Sequence, residues 1–265
     1  MEISNQFDTQ GYIVIKKLFD QHEIKEITLI VDYIYQQWLK KNHDALIADR
    51  LINMHSLTDP IYFKDNDRKR IDFFEIVTHK KLTDLIESIF GKEIYFHNTQ
   101  LFFNPYSKET LPYWHRDLQY SSIEDKIQAK EQSNIFTLHI RIPLVAEKGV
   151  ELIPGTHKRW DSKLEKNVRF ELNGHNNSEE LPGAILIELE PRDVLIFNAQ
   201  MIHKGNYKLN QVRKALDICV GKKHSFTSDY LNANVLPKNN EIKLISNNQW
   251  YKLARDIASG NLLEL

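Results

Sequence analysis

Between Ile94 and Val220 the chain carries seven short strand-like runs with no helix of 10–15 residues between any two of them. The runs are IYFHNTQLFF, YWHRDLQY, NIFTLHIRIPL, VELIP, AILIELE, DVLIFNAQMI and KALDICVG. A parallel sheet needs a long crossover between neighbouring strands, so this spacing points to an antiparallel sandwich or barrel. Pro-Gly at 154–155 and 182–183, and Pro191-Arg192-Asp193, supply turns. The polar segments Ser121–Ser133 and Asp161–Glu180 interrupt the pattern and read as loops or lids over one end of the barrel.

Upstream the texture is helical. GYIVIKKLFD reads as a short strand, and Asp20 is placed to cap a helix starting near Gln21. Ile24, Ile27, Leu29, Ile30, Ile34 and Leu39 then recur at helical spacing to about Lys41. A second helix is predicted over Lys81–Phe90, closed by Gly91, and a weaker one over Gln249–Leu262. The expected fold is mainly β with flanking α: a double-stranded β-helix, or jelly roll, over 94–225. An N-terminal strand and helices over 1–93 support it, an extension over 226–265 follows, and all lie in one domain, 1–265.

The charge balance, 36 acidic against 35 basic residues, argues against a dedicated nucleic-acid binder. One cysteine, Cys219, excludes an internal disulfide framework. No apolar run approaches the ~18 residues of a membrane span, and the N-terminus lacks a basic start followed by an apolar stretch. The expectation is a soluble, cytoplasmic protein that meets a small molecule and neither nucleic acid nor a membrane.

Of the 11 histidines, only His115 is followed two places later by a carboxylate, Asp117. On a strand, residues i and i+2 share a face, so both could meet one ion. Taken alone the triplet is weak, because about one is expected by chance at ordinary aspartate frequency. His203 strengthens it, since it ends the apolar run DVLIFNAQMI and lies where a barrel brings distant strands together. Two imidazoles and one carboxylate with open positions form the facial site of non-haem Fe(II) oxygenases. Arg213, ten residues on, heads the run KALDICVG. Facing inward it would need an anion, and a dicarboxylate such as 2-oxoglutarate suits its fork. Facing outward it would be an ordinary edge charge.

The sequence resembles the phytanoyl-CoA dioxygenase family of Fe(II)- and 2-oxoglutarate-dependent oxygenases over nearly its whole length. FDTQGYIVIKKLFDQHEI, LTDLIESIFGKEIYFHNTQLFFN, WHRDLQY, GVELIPGTHK and DVLIFNAQMIHKG followed by VRKAL carry the likeness, in the family's order. The resemblance implies that His115, Asp117 and His203 bind Fe(II), and that Arg213 holds the remote carboxylate of 2-oxoglutarate. It further implies hydroxylation with O2, releasing succinate and CO2. With the acid ligand Asp117 present, the related halogenation, which needs a small residue there, is disfavoured. Two positions depart from the pattern. Gly205 stands where some members have a serine, and the interval from His203 to Arg213 is one residue shorter than in the phytanoyl-CoA enzymes themselves.

In the run TLHIRI, Thr137, His139 and Arg141 share one face. If that face points into the barrel, His139 lies near the co-substrate and Arg141 is a candidate for an anionic substrate group; periodicity equally allows it to face solvent. Gln100 falls where family members place a side chain near 2-oxoglutarate, or it makes a cross-strand hydrogen bond. Tyr120 matches the tyrosine of the family's metal strand and is a candidate pocket residue, while Tyr113 and Trp114 read as core. His157 reads as a loop-bracing residue, Arg68-Lys69-Arg70 as a solvated patch, and Cys219 as core. The expected substrate is a small polar or anionic metabolite, such as an amino-acid-like or natural-product intermediate. The alternatives are an acyl thioester or carrier-bound substrate, a non-catalytic jelly-roll binding protein, and a cupin-like metalloenzyme without 2-oxoglutarate.

Overall fold

The computed structural model describes residues 2–48, 51–64, 66–228 and 231–260. The chain opens with α1 (Glu2–Gln10), β1 (Tyr12–Ile15), α2 (Gln21–Ala48), β2 (Asn53–His55), α3 (Asp67–Val77) and α4 (Lys80–Phe90). There follow β3 (Tyr95–Phe103), α5 (Asp125–Glu131), β4 (Thr137–Pro143), β5 (Glu147–Leu152) and α6 (Lys163–Arg169). Next come β6 (Ile185–Leu189), β7 (Val194–Asn198), β8 (His203–Gly205) and β9 (Lys214–Gly221). The short α7 (Ser225–Ser228) and α8 (Asn239–Ile242) lead to α9 (Gln249–Ala258).

The start of α2 is fixed as expected. Asp20 Oδ1 accepts from the backbone N–H of His22 and Glu23, and Glu23 returns the favour to Asp20 N. The helix runs past Lys41 to Ala48, burying Ile24, Ile27, Ile30, Val31, Ile34 and Trp38. α4 ends at Gly91, whose φ of 84° a side chain would resist. The C-terminal helix forms as α9, and its expected last residues, 261–262, lie outside the described residues.

The strands form a six-stranded sheet, β1-β7-β4-β9-β3-β2, and a three-stranded sheet, β6-β5-β8, both antiparallel. This is the jelly-roll architecture. One face of the large sheet packs on the helices: Leu138, Ile140, Leu216 and Ile218 join Ile27, Ile34, Phe73, Phe74, Trp250 and Tyr251 in one apolar cluster. The other face meets the small sheet, where Leu195, Phe197 and Met201 pack on Val150, Leu152 and Ile187. In β4 the alternation therefore turns Thr137, His139 and Arg141 toward the barrel interior.

Three expectations need correction. YWHRDLQY is not a strand: His115 makes an isolated bridge to His203, and Asp117–Tyr120 form a 3-10 turn. The interrupting segments contain the helices α5 and α6. Ser162 and Glu165 form a reciprocal capping box at α6, a signal present in SKLE that composition alone hides. Finally, Arg70 is buried rather than solvated. It pairs with Glu241 and donates to the carbonyls of Thr58, Asn234 and Leu236, because α3 packs through Ile71, Phe73, Phe74 and Val77 and carries Arg70 inward with them. Among the described residues no helix is long and apolar enough to cross a membrane.

Candidate active site

The two histidines of the facial set are held together by backbone. His115 N donates to His203 O (2.9 Å) and His203 N donates back to His115 O (3.0 Å). Each imidazole is then oriented by a carbonyl two residues earlier: Nδ1 of His115 lies 3.2 Å from Tyr113 O, and Nδ1 of His203 lies 3.0 Å from Met201 O. Carbonyls only accept, so Nδ1 carries the proton and Nε2 keeps its lone pair. Both Nε2 atoms face Asp117 Oδ1, at 3.9 Å from His115 and 3.4 Å from His203. One ligand atom from each residue lies within 4.8 Å of the others. Burial pulls both imidazoles down, His203 to about 3, so both are neutral, the form that can ligate a cation.

Arg116 explains how this turn is held without a strand. Its side chain points away from the cavity into a buried socket. There it donates to Asp161 Oδ1 (2.9 and 2.8 Å), to Thr156 O (2.7 Å) and to the carbonyls of Arg159 and Gln200. Asp117 N donates to Ala199 O (3.2 Å). Pinned on either side, His115 and Asp117 turn toward the same cavity.

That cavity has a volume of about 440 Å³ and is also lined by Arg213, Arg141, His139, Asp217, Gln100, Tyr120 and Gly205. Arg213 is buried, and among the described residues its Nε and Nη1 have no hydrogen-bond partner. The nearest carboxylate oxygen, Glu147 Oε2, is 3.6 Å from Nε, too far for a hydrogen bond. Burial and the neighbouring Arg141 pull the Arg213 guanidinium down to about 10, which leaves it charged at neutral pH. A Cβ at position 205 would lie 3.0 Å from Arg213 Nη2, so glycine there makes the room the fork occupies. Buried N–H groups left without acceptors are expensive unless an anion meets them. The donor set thus fits a divalent cation at one end of the cavity and a carboxylate at the other.

The family description for phytanoyl-CoA dioxygenases matches residues 7–215. The chain belongs to the phytanoyl-CoA dioxygenase family. It is an Fe(II)- and 2-oxoglutarate-dependent oxygenase, as the sequence motifs imply. The ectoine dioxygenase of Sphingopyxis alaskensis is 20% identical over 228 residues, 79% of this chain and 71% of the relative. Among solved structures, EctD from S. alaskensis with 2-oxoglutarate and 5-hydroxyectoine superposes with a TM-score of 0.56 at 17% identity, covering 83% of this chain and 74% of EctD. HygX from Streptomyces hygroscopicus with nickel and 2-oxoglutarate bound gives 0.59 at 15% identity, covering 84% and 86%. At these identities the superpositions show a shared fold.

Within this family member, the eight residues singled out from the sequence all line the cavity. Two of them are occupied differently from expectation. Arg141 is not a free guanidinium: its Nε and Nη2 donate to Glu147 (2.6 and 3.1 Å) and its Nη1 to Asp217 (2.8 Å). His139 has a carboxylate on each ring nitrogen, Asp117 Oδ2 at 2.7 Å and Asp217 Oδ2 at 3.2 Å, which leaves no nitrogen for a co-substrate. Gln100 Oε1 accepts the cross-strand bond from Asn53 (3.1 Å) while still lining the cavity. Tyr120 is exposed at the mouth, with its ring 5.8 Å from His115. Trp114 is core, but Tyr113 lines the cavity. Cys219 is half-buried with Sγ 3.8 Å from His139 Nδ1, on the interior face of β9 rather than in the core. His157 is structural as expected, but its Nε2 bonds Asp8 O of α1, tying the loop to the N-terminal helix where a bond within the loop was expected.

Sequence reasoning missed Glu147, Asp217, Asn53 and His55. Asp217 was detectable: one carboxylate inside the apolar run KALDICVG is as costly as an inward arginine and calls for a cationic partner. Asn53 and His55 sit on a three-residue strand that carries no periodicity to read.

Proposed function

We propose that this oxygenase hydroxylates a small polar substrate bearing no net negative charge, with His115, Asp117 and His203 holding Fe(II) and Arg213 holding the distal carboxylate of 2-oxoglutarate. The observation that carries this reading is the pair of partnerless Arg213 N–H groups facing the same cavity as three convergent ligand atoms. When bound, Fe(II) with 2-oxoglutarate and O2 supplies the oxidising chemistry and leaves succinate and CO2. The chain's own part is placement. The His115–His203 backbone bridge fixes the angle between the imidazoles. Phe102 lies under both guanidinium groups, 5.3 Å from Arg213 and 5.0 Å from Arg141, and aims the fork.

The substrate class follows from charge. Arg141, the one candidate for an anionic substrate group, is neutralised by Glu147 and Asp217, so Arg213 is the socket left for an anion and 2-oxoglutarate fills it. The cavity mouth offers Asn53, His55, Gln100, Tyr113 and Tyr120. A second cavity of about 400 Å³ shares Gln100, Asp117, Tyr120 and His139 with the first and adds Asn98, Thr137, Gln200 and Thr227. Asp117 and His139 are engaged with one another, and the remaining groups are uncharged at neutral pH, suited to hydroxyls, amides or amines.

The test is anaerobic. Fe(II) followed by 2-oxoglutarate is expected to give the weak visible band of a chelated 2-keto acid in the wild-type protein. In Arg213→Ala the 2-oxoglutarate needed for half-saturation is expected to rise on the order of 100-fold, since the lost charged fork is worth about 3 kcal/mol. Arg213→Lys keeps a point charge without the fork and falls between the two. No band from the folded, iron-loaded wild type, or an unchanged half-saturation in Arg213→Ala, would sink the reading. Succinate release screened over neutral, cationic and anionic metabolites then tests the substrate class, and stimulation by anions alone would overturn it.

A further inference from the structure

The two oxygens of Asp117 have different surroundings. Oδ1 faces Nε2 of His203 and His115, while Oδ2 sits 2.7 Å from Nε2 of His139. His139 itself is buried and fixed. Its ring stacks on Phe197 with centroids 5.1 Å apart and planes 12° from parallel, and its Nδ1 faces Asp217 Oδ2 at 3.2 Å. Asp217 is held in turn, its Oδ1 accepting from Arg141 Nη1 at 2.8 Å. Since carboxylates accept and do not donate, an imidazole between two of them presents an N–H to each.

We propose that His139, backed by Asp217, is a positioning residue for the metal-binding carboxylate: it occupies Oδ2 of Asp117, so that Oδ1 alone turns toward the metal. This rests on the reading of Asp117 as an iron ligand. A carboxylate with both oxygens free can chelate, and a chelating Asp117 would take up one of the positions that a facial triad leaves for 2-oxoglutarate and O2. Hydrogen bonds to the unused oxygen of a ligand also fix its direction and strengthen binding. The placement is built into the strands: Arg141 is opposite Asp217 and His139 opposite Cys219 in the β4–β9 ladder, which puts all four side chains on the interior face.

The test is an anaerobic Fe(II) titration of the full chain, comparing wild type with Asp117→Ala, His139→Ala, His139→Gln and Asp217→Asn, with melting temperatures recorded alongside. His139→Ala is expected to weaken Fe(II) binding about 10- to 100-fold, the usual range for an outer partner of a metal ligand. At saturating iron it is also expected to need more 2-oxoglutarate for the visible band. His139→Gln, which can still present one N–H to Oδ2, is expected to recover most of the affinity. A merely structural histidine would lower the melting temperature and leave the Fe(II) affinity of the folded protein alone. The inference is overturned if folded His139→Ala binds Fe(II) as tightly as wild type, or if His139→Gln binds no better than His139→Ala. Should His139→Ala fail to fold, Asp217→Asn decides, and unchanged affinity there overturns it equally. Wild-type affinity in Asp117→Ala would remove the ligand reading beneath it, a result distinct from failure at His139 alone.

Discussion

Replacing Asp117 by alanine is expected to abolish turnover while leaving the fold intact. Structural zinc held by four protein ligands is worth about 10–16 kcal/mol, and a quarter of that, roughly 2.5–4 kcal/mol, scales the loss of one ligand here to about 100- to 1,000-fold in affinity. The remaining His115 and His203 stay bridged through their backbones, since neither of those bonds uses the aspartate. Burial opposes the charge on Asp117, and His139, 2.7 Å from its Oδ2, holds its carboxyl far below the ordinary range. Removing it lifts the cost of burying that charge and leaves His139 with Asp217 alone, so the melting temperature is expected to fall modestly without loss of the fold. Equilibrium dialysis against Fe(II), together with succinate release at fixed iron, checks both halves. Tight iron binding by Asp117→Ala would exclude the carboxylate as a ligand, and a collapse of the melting temperature would show that it is structural.

Much of this site was legible in the sequence because chemistry leaves compositional traces that geometry does not. His115, Asp117, His203 and Arg213 stand out as polar groups inside or beside apolar runs, where unpaired they would be costly. The barrel was legible for a similar reason, since strands spaced too closely for crossover helices must pair antiparallel. The conformation of the segment that carries His115 was not. It reads as a strand by residue type, yet its partner is a single bridge to His203, and what holds it is the Arg116 socket formed by Asp161, Thr156 and Arg159. Those contacts span some 40 residues of chain that no local pattern connects. The inward face of β4 was likewise ambiguous from periodicity, because all seven of its residues are buried and only the partner on each face tells them apart. Arg141 shows the cost of that ambiguity: a lone arginine suggests a ligand, whereas the structure supplies Glu147 and Asp217 to meet it.

Glu147 is where this compensation can be tested most sharply. Its side chain is fully buried and serves two guanidinium groups, bonding Arg141 at 2.6 and 3.1 Å and lying 3.6 Å from Arg213 Nε. Glu147→Ala leaves two buried cations facing Asp217 alone. Breaking a buried ion pair from one side typically costs about 3–5 kcal/mol. For a chain of this size that lowers the melting temperature by roughly 6–20 °C. Burial alone would raise the Glu147 carboxyl, but Arg141 and Arg213 hold it below its ordinary range. Its contribution is therefore present at and above neutral pH and is lost on acidification through its folded value, and the variant should lack that component of acid sensitivity. The effect on 2-oxoglutarate has the opposite sign. With Glu147 gone, Arg213 loses its nearest competitor, so the co-substrate should bind at least as tightly and should restore more stability to the variant than to wild type. Differential scanning fluorimetry with and without 2-oxoglutarate, across pH, reads all three. An unchanged melting temperature, or weaker protection by 2-oxoglutarate in Glu147→Ala than in wild type, would mean that Glu147 helps to build the carboxylate socket and does not compete for it.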